Sequence, residues 1–405
     1  MSISLIGKSI GESATLKLNE TFAILKAKGE NVIHLGGGEP KSRAPFDAIT
    51  TVAGFLNSGE IRYAPVDGTI EMKQAIIRYT LDNYKVKVEP ENVIASSGAK
   101  QAIMVAMQAI LNPQDEVIFP APYYVSYADM TKLCGAIPIP VRAEDGTFYP
   151  TLADIERNVT SYTKLIIINN PNNPTGVVYS SAFISDIVKF CEKKGIYLIM
   201  DEIYHKLVFD GIKVANPYDF VTKDFETSKL ILINGVSKVY AMTGFRIGWA
   251  VANKKLIKVM SNIQGHQTSG PSILLQKAAV GALNGIQSPI ESLRCTLENN
   301  RNVLIEQLKT IDGLKIQIPQ ATFYSFIDFS AYFKDSTQLS KLLLDKVRVL
   351  TVPGIEFGAE GFLRISFCGS IKDITEGISR IKWVIDPNSA NELFIGQRKL
   401  VRERN

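Results

Sequence analysis

Short, wholly apolar runs recur along the chain and alternate with stretches where hydrophobic residues return every third or fourth position. Val93–Ala95, Val117–Phe119, Leu165–Ile168, Ile196–Met200 and Leu230–Ile233 are rich in β-branched residues, which predicts strands buried on both faces. Between them lie helical patterns such as Gln101–Leu111, apolar enough to be a buried helix. Strands alternating with helices from about residue 90 to residue 250 predict an α/β fold with a mostly parallel sheet covered on both sides. Upstream, Leu16, Phe22, Ile24 and Leu25 give Ile10–Gly29 an apolar helical face, and Val32–Leu35 reads as a strand running into Gly36–Gly38. Downstream of Gly265–Pro271 the chain turns helical, through Leu274–Ala282 and a long amphipathic stretch, Ile290–Leu308, that predicts the connection to a second domain. That domain holds Thr322–Ile327, a helix near Thr337–Leu344 and the strand Gly361–Phe367. The tail, Asp386–Asn405, is polar and is expected to lie outside the core.

Composition narrows the picture without changing it. A chain of 405 residues with 46% hydrophobic and 21% charged residues is an ordinary globular protein of two or three domains. A net charge of +5, with lysines and arginines dispersed, gives no nucleic-acid footprint. Met1–Lys8 is too short an apolar run for a signal peptide and nothing approaches a membrane span, so a soluble cytoplasmic protein is expected. Four scattered cysteines and three isolated histidines form no metal-ligand spacing, so reduced, mostly buried thiols are expected and no metal.

Chemistry collects where the predicted strands end, which in open α/β sheets is where ligands sit. Leu230–Ile233 is followed by Asn234-Gly-Val-Ser-Lys-Val-Tyr-Ala-Met-Thr-Gly-Phe-Arg246. A lysine amine forms Schiff bases with carbonyl carbons, while serine and arginine bind phosphate oxygens, so Ser237, Lys238 and Arg246 suit pyridoxal 5'-phosphate. Taken alone, the stretch fits a solvated lysine and a structural arginine equally well. Val93–Lys100 runs from strand through small residues into a helix, an anion site at a helix N-terminus, though without P-loop spacing. Prolines put Tyr123 and Tyr124 on a rigid turn where an aromatic can stack on a flat ring or simply pack in the core. Asn170–Gly176 crowds asparagine and proline into one loop. Asp201 directly follows an apolar run, and a buried carboxylate there needs a cation or donor, a role a protonated pyridine nitrogen fills. Arg364 interrupts an apolar strand and needs an anion, either an internal carboxylate or a substrate's.

In their order, Gly36-Gly-Gly-Glu-Pro40, Tyr63–Gly68, Gly98-Ala-Lys-Gln101, Asn170–Gly176, Asp201-Glu-Ile-Tyr204, Ser237-Lys238, Thr243–Gly248 and Leu363–Ser366 resemble the motifs of class I/II aminotransferases, most strongly their bacterial aspartate aminotransferase branch. The resemblance runs from about Ser13 to about Ile381. It implies fold type I: a large domain with a seven-stranded, mostly parallel sheet, and a smaller α+β domain built from both chain ends. The boundaries expected are 1–45 joining the small domain, 46–285 for the large cofactor-binding domain, 286–385 for the small domain and 386–405 for the tail.

By the same resemblance Lys238 joins the cofactor covalently and later moves the α-proton, Asp201 keeps the pyridine nitrogen protonated, and Tyr204 and Asn173 bond the ring oxygen. Tyr124 stacks on the ring; Gly98, Ala99, Lys100, Ser237 and Arg246 line the cofactor site, and Tyr63 reaches the phosphate from the other subunit of a homodimer. Arg364, Asn173, Tyr124 and Gly38 hold the substrate, and Lys100 matches the residue this branch uses for a distal carboxylate. The implied reaction is ping-pong transfer between an L-amino acid, aspartate or glutamate first, and a 2-oxo acid. Departures bear on specificity. Lys41-Ser-Arg-Ala-Pro45 replaces an acidic and aromatic run, Tyr124 stands where tryptophan is common, and Ala321 leads a motif usually led by glycine. Aromatic amino acids, prephenate or alanine are the alternative substrates, and a β-lyase shares the anchors. A cofactor-sensing transcription regulator is expected to carry a DNA-binding domain, for which the residues before Gly36 leave no room.

Overall fold

The computed structural model describes residues 3–402. Helix α1 (Ala14–Ala27) leads to a two-residue strand, Ile33–His34, and helix α2 (Ile70–Tyr84) is started by the Thr69 side chain, which accepts from the Met72 amide. The central sheet follows: β1 (Val93–Ser96), β2 (Glu116–Pro120), β3 (Ile137–Val141), β4 (Thr163–Asn169), β5 (Tyr197–Asp201), β6 (Leu230–Gly235) and β7 (Gly248–Val251). Their order is β1-β7-β6-β5-β4-β2-β3; only β7 runs antiparallel to its neighbours, so the sheet is mostly parallel as expected. Helix α3 (Ala99–Ile110) crosses from β1, and the long α4 (Ser288–Leu308) leads to a second, three-stranded sheet of β8 (Tyr324–Asp328), β9 (Val352–Pro353) and β10 (Phe362–Ser366). Ile33–His34 pairs with Val349–Leu350, which ties the start of the chain to this second unit.

The parallel strands are buried throughout because side chains on both faces meet helices. Leu165, Ile167, Ile199, Ile231 and Ile233 face one layer, and Ile166, Ile168, Leu198, Met200 and Leu232 the other. Burying each of these contributes about 1.5–3 kcal/mol, so a charge at Ile199 would unseat the middle of the sheet. Strand ends are therefore fixed points, and the loops that leave them inherit that rigidity.

One strand lies where the sequence reading named none, and two regions differ from the expectations. β3 is a strand despite its alternating prolines because it is the sheet's edge, where a missing N–H costs no ladder bond. The apolar face read in α1 is not buried: Leu16 and Ile24 stay exposed, while Phe22 packs on His34 with ring centroids 4.9 Å apart. The polar tail forms a hairpin, Glu392–Ile395 with Arg398–Val401, and Arg402 fastens it to the end of the last helix by donating to the carbonyls of Trp383 and Asp386. Cys191 and Cys368 are buried, but Cys295 is exposed; all four thiols are free. Among the described residues no helix is long and apolar enough to cross a membrane, and no cluster of His, Cys, Asp or Glu is arranged for a metal.

Candidate active site

A cavity of about 510 Å³ opens at the carboxyl ends of β4, β5 and β6, against β10 of the second sheet. It brings together most of the residues singled out from the sequence: Gly38, Ala99, Lys100, Tyr124, Asn173, Asp201, Tyr204, Ser237, Lys238, Arg246 and Arg364 all line it.

Asp201 ends β5 and is buried, and burial pushes its carboxyl up to about 6 against the pull of its hydrogen-bond donors. Tyr127 donates to its Oδ2 at 2.6 Å, while its other oxygen has only a long 3.4 Å contact from the Ile203 amide and keeps acceptor capacity. Asn169, at the end of β4, donates to the Asp201 carbonyl and accepts from the Asn173 amide at 2.8 Å, which sets the asparagine-rich loop against the strand ends. Lys238 lies three residues past the end of β6; burial lowers its ammonium to about 8, and its Nζ donates to the Gly38 carbonyl at 2.6 Å.

The anion cradle is built of backbone as much as side chain. Gly98 caps α3 at φ +93°, and a Cβ there would lie 2.6 Å from Arg246 Nη2, so only glycine lets the guanidinium reach the helix N-terminus. Gly248, the first residue of β7, sits so close under the Ala99 amide that any side chain would overlap it. Arg246 itself holds a left-handed φ of 51°, a strained setting for a non-glycine residue, and donates to the Thr243 carbonyl at 2.9 Å. Ser237 is nearly buried beside them. Amides at a helix end, a hydroxyl and an arginine make a donor set suited to a phosphate group.

Arg364 is 2% exposed and forms no ion pair among the described residues. Its Nη1 donates to Asn173 Oδ1 at 3.1 Å and its Nη2 to the Gly36 carbonyl at 2.9 Å, while Nε has no partner. Leaving a buried guanidinium on neutral acceptors is costly unless an anion completes it, so the internal-carboxylate alternative falls. Tyr324 supports it, its ring 4.2 Å from the guanidinium carbon and its hydroxyl 3.4 Å from that of Tyr204. Burial raises the Tyr204 hydroxyl well above the ordinary range, which keeps it a donor.

Two of the expected residues stand apart. Gly98 is under the cavity wall rather than on it, acting through its neighbours. Tyr63 is 93% exposed in the loop before α2, and the single chain does not bring it to the cavity. The structure also separates the two adjacent tyrosines: Tyr124 lines the cavity, whereas Tyr123 packs against Gly358. Tyr127 and Tyr324 escaped the sequence reading. Each looks like a core aromatic, and only contacts spanning 74 and 120 residues reveal their use.

The family model described as aminotransferase class I and II matches residues 30–381. A probable aspartate/prephenate aminotransferase of Aquifex aeolicus is 36% identical over 381 residues, covering 92% of this chain and 96% of its own. The aspartate aminotransferase of Bacillus subtilis is 35% identical over 383 residues, covering 93% and 97%. Among solved structures, the aspartate aminotransferase of Thermotoga maritima superposes with a TM-score of 0.88 at 34% identity, covering 95% of this chain and all of its own. That of Thermus thermophilus with maleate gives 0.90 at 31% identity, again covering 95% of this chain.

Proposed function

The chain belongs to the class I and II aminotransferases, and from that premise we propose that it moves the amino group of L-aspartate or L-glutamate to a 2-oxo acid with pyridoxal 5'-phosphate as cofactor. One observation carries the reading: a half-buried lysine, a buried aspartate with acceptor capacity left on one oxygen, and an arginine without an anion all face one cavity. When bound, the cofactor supplies an aldehyde that takes up the amino group and a protonated ring that accepts the electrons left by the departing α-proton.

The chain's residues do the rest. Ala99, Ser237 and Arg246 would hold the phosphate at the start of α3; Gly98, whose own amide donates to the Ser96 carbonyl, lets the guanidinium come close. The Asp201 carboxylate would keep a ring nitrogen protonated, and a cation beside it would draw its raised pKa back down. Tyr204 and Asn173 would donate to the ring oxygen, and Tyr124, on the cavity wall, would cover the ring face. Arg364 uses Nε and a second N–H on the substrate's α-carboxylate, in concert with Asn173 and the Gly38 backbone. Lys238, whose amine is poised near 8, takes the α-proton and returns it on the other side of the transfer. Lys100, exposed at the mouth with its ammonium 5.6 Å from the Tyr124 ring centroid, pairs with a distal carboxylate, which favours acidic substrates over alanine, aromatic substrates or prephenate.

We assign residues 46–285 to the large cofactor-binding domain, 1–45 and 286–385 to the small one, and 386–405 to an appended tail, in a cytoplasmic homodimer. Exposed Phe46, Leu56, Ile61, Tyr63 and Ile286 favour the homodimer, with Tyr63 completing the phosphate site of the second subunit. The deciding experiment follows the absorption band of the bound cofactor while L-aspartate and then 2-oxoglutarate are added. Loss and recovery of the band support both half-reactions. A band indifferent to aspartate removes the acidic specificity, and formation of pyruvate and ammonia without an acceptor would favour the β-lyase.

A further inference from the structure

The carboxyl end of β5 carries two buried acids in succession, and strand alternation sends them to opposite sides. Asp201 faces the catalytic cavity; Glu202 faces a separate cavity of about 720 Å³ between the ends of α2 and α4. We propose that this second cavity is a non-catalytic binding site for a small zwitterionic amino acid with an aliphatic side chain.

Three features select that chemistry. Glu202 is 1% exposed; its Oε2 accepts from the Tyr84 hydroxyl at 2.6 Å, and its Oε1 has no partner. An unanswered buried carboxyl oxygen calls for a donor or a cation. On the same cavity, Lys206 packs its ammonium 5.0 Å from the Tyr79 ring centroid and Lys213 is exposed, and neither forms an ion pair among the described residues. The remaining cation, Arg294, is already satisfied by Glu291 and Glu298 at 2.7 and 2.8 Å. Beside these groups Val208, Ile212 and Val214 present the cavity side of a small apolar cluster completed by Val178 and Ala321. A simple anion would leave the apolar patch unanswered, a simple cation would meet two lysines, and a neutral apolar ligand would answer neither the lysines nor Glu202. An ammonium on Glu202, a carboxylate on the lysines and an aliphatic chain on the patch answer all three at once. Burial pushes the Glu202 carboxyl up to about 8, so the incoming ammonium also releases a proton near neutral pH.

The site touches the catalytic strands from behind. The Glu202 amide donates to the Ile233 carbonyl of β6, and the Tyr84 hydroxyl accepts from Asn234, four residues before Lys238. Occupancy therefore acts on the backbone that carries both Asp201 and Lys238. This inference stands apart from the substrate assignment above, because the two cavities share no side chain.

Calorimetric titration of the holoenzyme, saturated with maleate to occupy the catalytic cavity, with each proteinogenic L-amino acid tests it. The expected result is saturable binding of at least one aliphatic amino acid, with affinity reduced about tenfold in Lys213→Ala, the equivalent of about 1.4 kcal/mol. Glu202→Gln should weaken it further and abolish proton release, read by repeating the titration in buffers of different ionisation enthalpy. Lys213 is exposed, so its variant keeps the fold and remains informative if Glu202→Gln does not fold. Absence of saturable binding, undiminished affinity in Lys213→Ala, or displacement by more maleate each overturns the proposal.

Discussion

The floor and the mouth of the catalytic cavity are built on different terms. On the floor, Asp201, Asn173, Tyr204 and Arg364 are all at most 5% exposed, and each is held by hydrogen bonds to strand ends or to one another. At the mouth, Glu39 and Lys100 are exposed, Leu16 reaches in from an outlying helix, and Lys100 lies over the Tyr124 ring. Moving a floor residue leaves a buried group unpaired, at a cost of several kcal/mol, whereas a mouth residue changes at little cost. On the proposed roles, reaction chemistry is locked into the sheet, while substrate choice rests on side chains that few neighbours constrain.

That contrast breaks most sharply at Lys238. Lys238→Ala should lower the single-turnover rate by on the order of 10⁴-fold, the range expected for losing a positioned base; a stopped-flow rate within tenfold of the parent would remove Lys238 from proton transfer. For the intact protein the rate should climb as pH rises through about 8, because the folded pKa is depressed and the neutral amine prevails only above it. A profile flat across that window contradicts the assignment. In cofactor-free protein the same depression has a stability consequence. The unfolded lysine binds a proton that the folded one has lost between about 8 and its ordinary 10.5, so stability from this group rises with pH there. Chemical denaturation of Lys238→Met against pH should lack that rise.

Arg364→Ala should lower kcat/KM by roughly 10²-fold or more, corresponding to about 3 kcal/mol for an unpaired buried charge contact. If steady-state kinetics with amino acids lost less than tenfold, the carboxylate would have to bind elsewhere. Tyr127→Phe is expected to act through Asp201: removing a hydrogen bond to a carboxylate costs about 1.5–3 kcal/mol. Cofactor retention should weaken about tenfold, and the acid limb of the pH profile should move upward. An unchanged limb would make Tyr127 a packing residue only. Least of all, Lys100→Ala should raise KM for aspartate about twofold to fivefold and leave KM for alanine unchanged, since exposed pairs contribute 0.2–1 kcal/mol. Equal changes for both substrates would sever Lys100 from specificity.

Part of the floor was legible from the residues alone because of where they stand relative to apolar runs, while Asn173 and Tyr204 were legible only through the family resemblance. Asp201 and Lys238 are marked by the strands they terminate, and Arg364 by its intrusion into one. Side chains acting through other side chains left no such mark. Tyr127 lies 74 residues from its carboxylate, and the Glu202–Tyr84 pair spans 118, so only the folded chain makes them neighbours. Edge strand β3 was hidden by the prolines that alternate through Ile137–Val141, and the C-terminal hairpin by the polar residues around Leu393–Ile395. Tyr63 is legible only through the family resemblance; nothing within one chain gives its exposed ring a task.

Two peptide oxygens near the start of the chain accept hydrogen bonds from Lys238 and Arg364. Gly38 holds the Lys238 ammonium and Gly36 one arm of Arg364, each through a carbonyl. A neutral oxygen can be exchanged for a charged one without stranding an acid in the interior, so these placeholders yield where a resident carboxylate would compete. Because the holding group is main chain, replacing side chains one at a time would never reveal it; an ester substituted for the peptide bond, weakening that single oxygen as an acceptor, is the change to which this arrangement is sensitive.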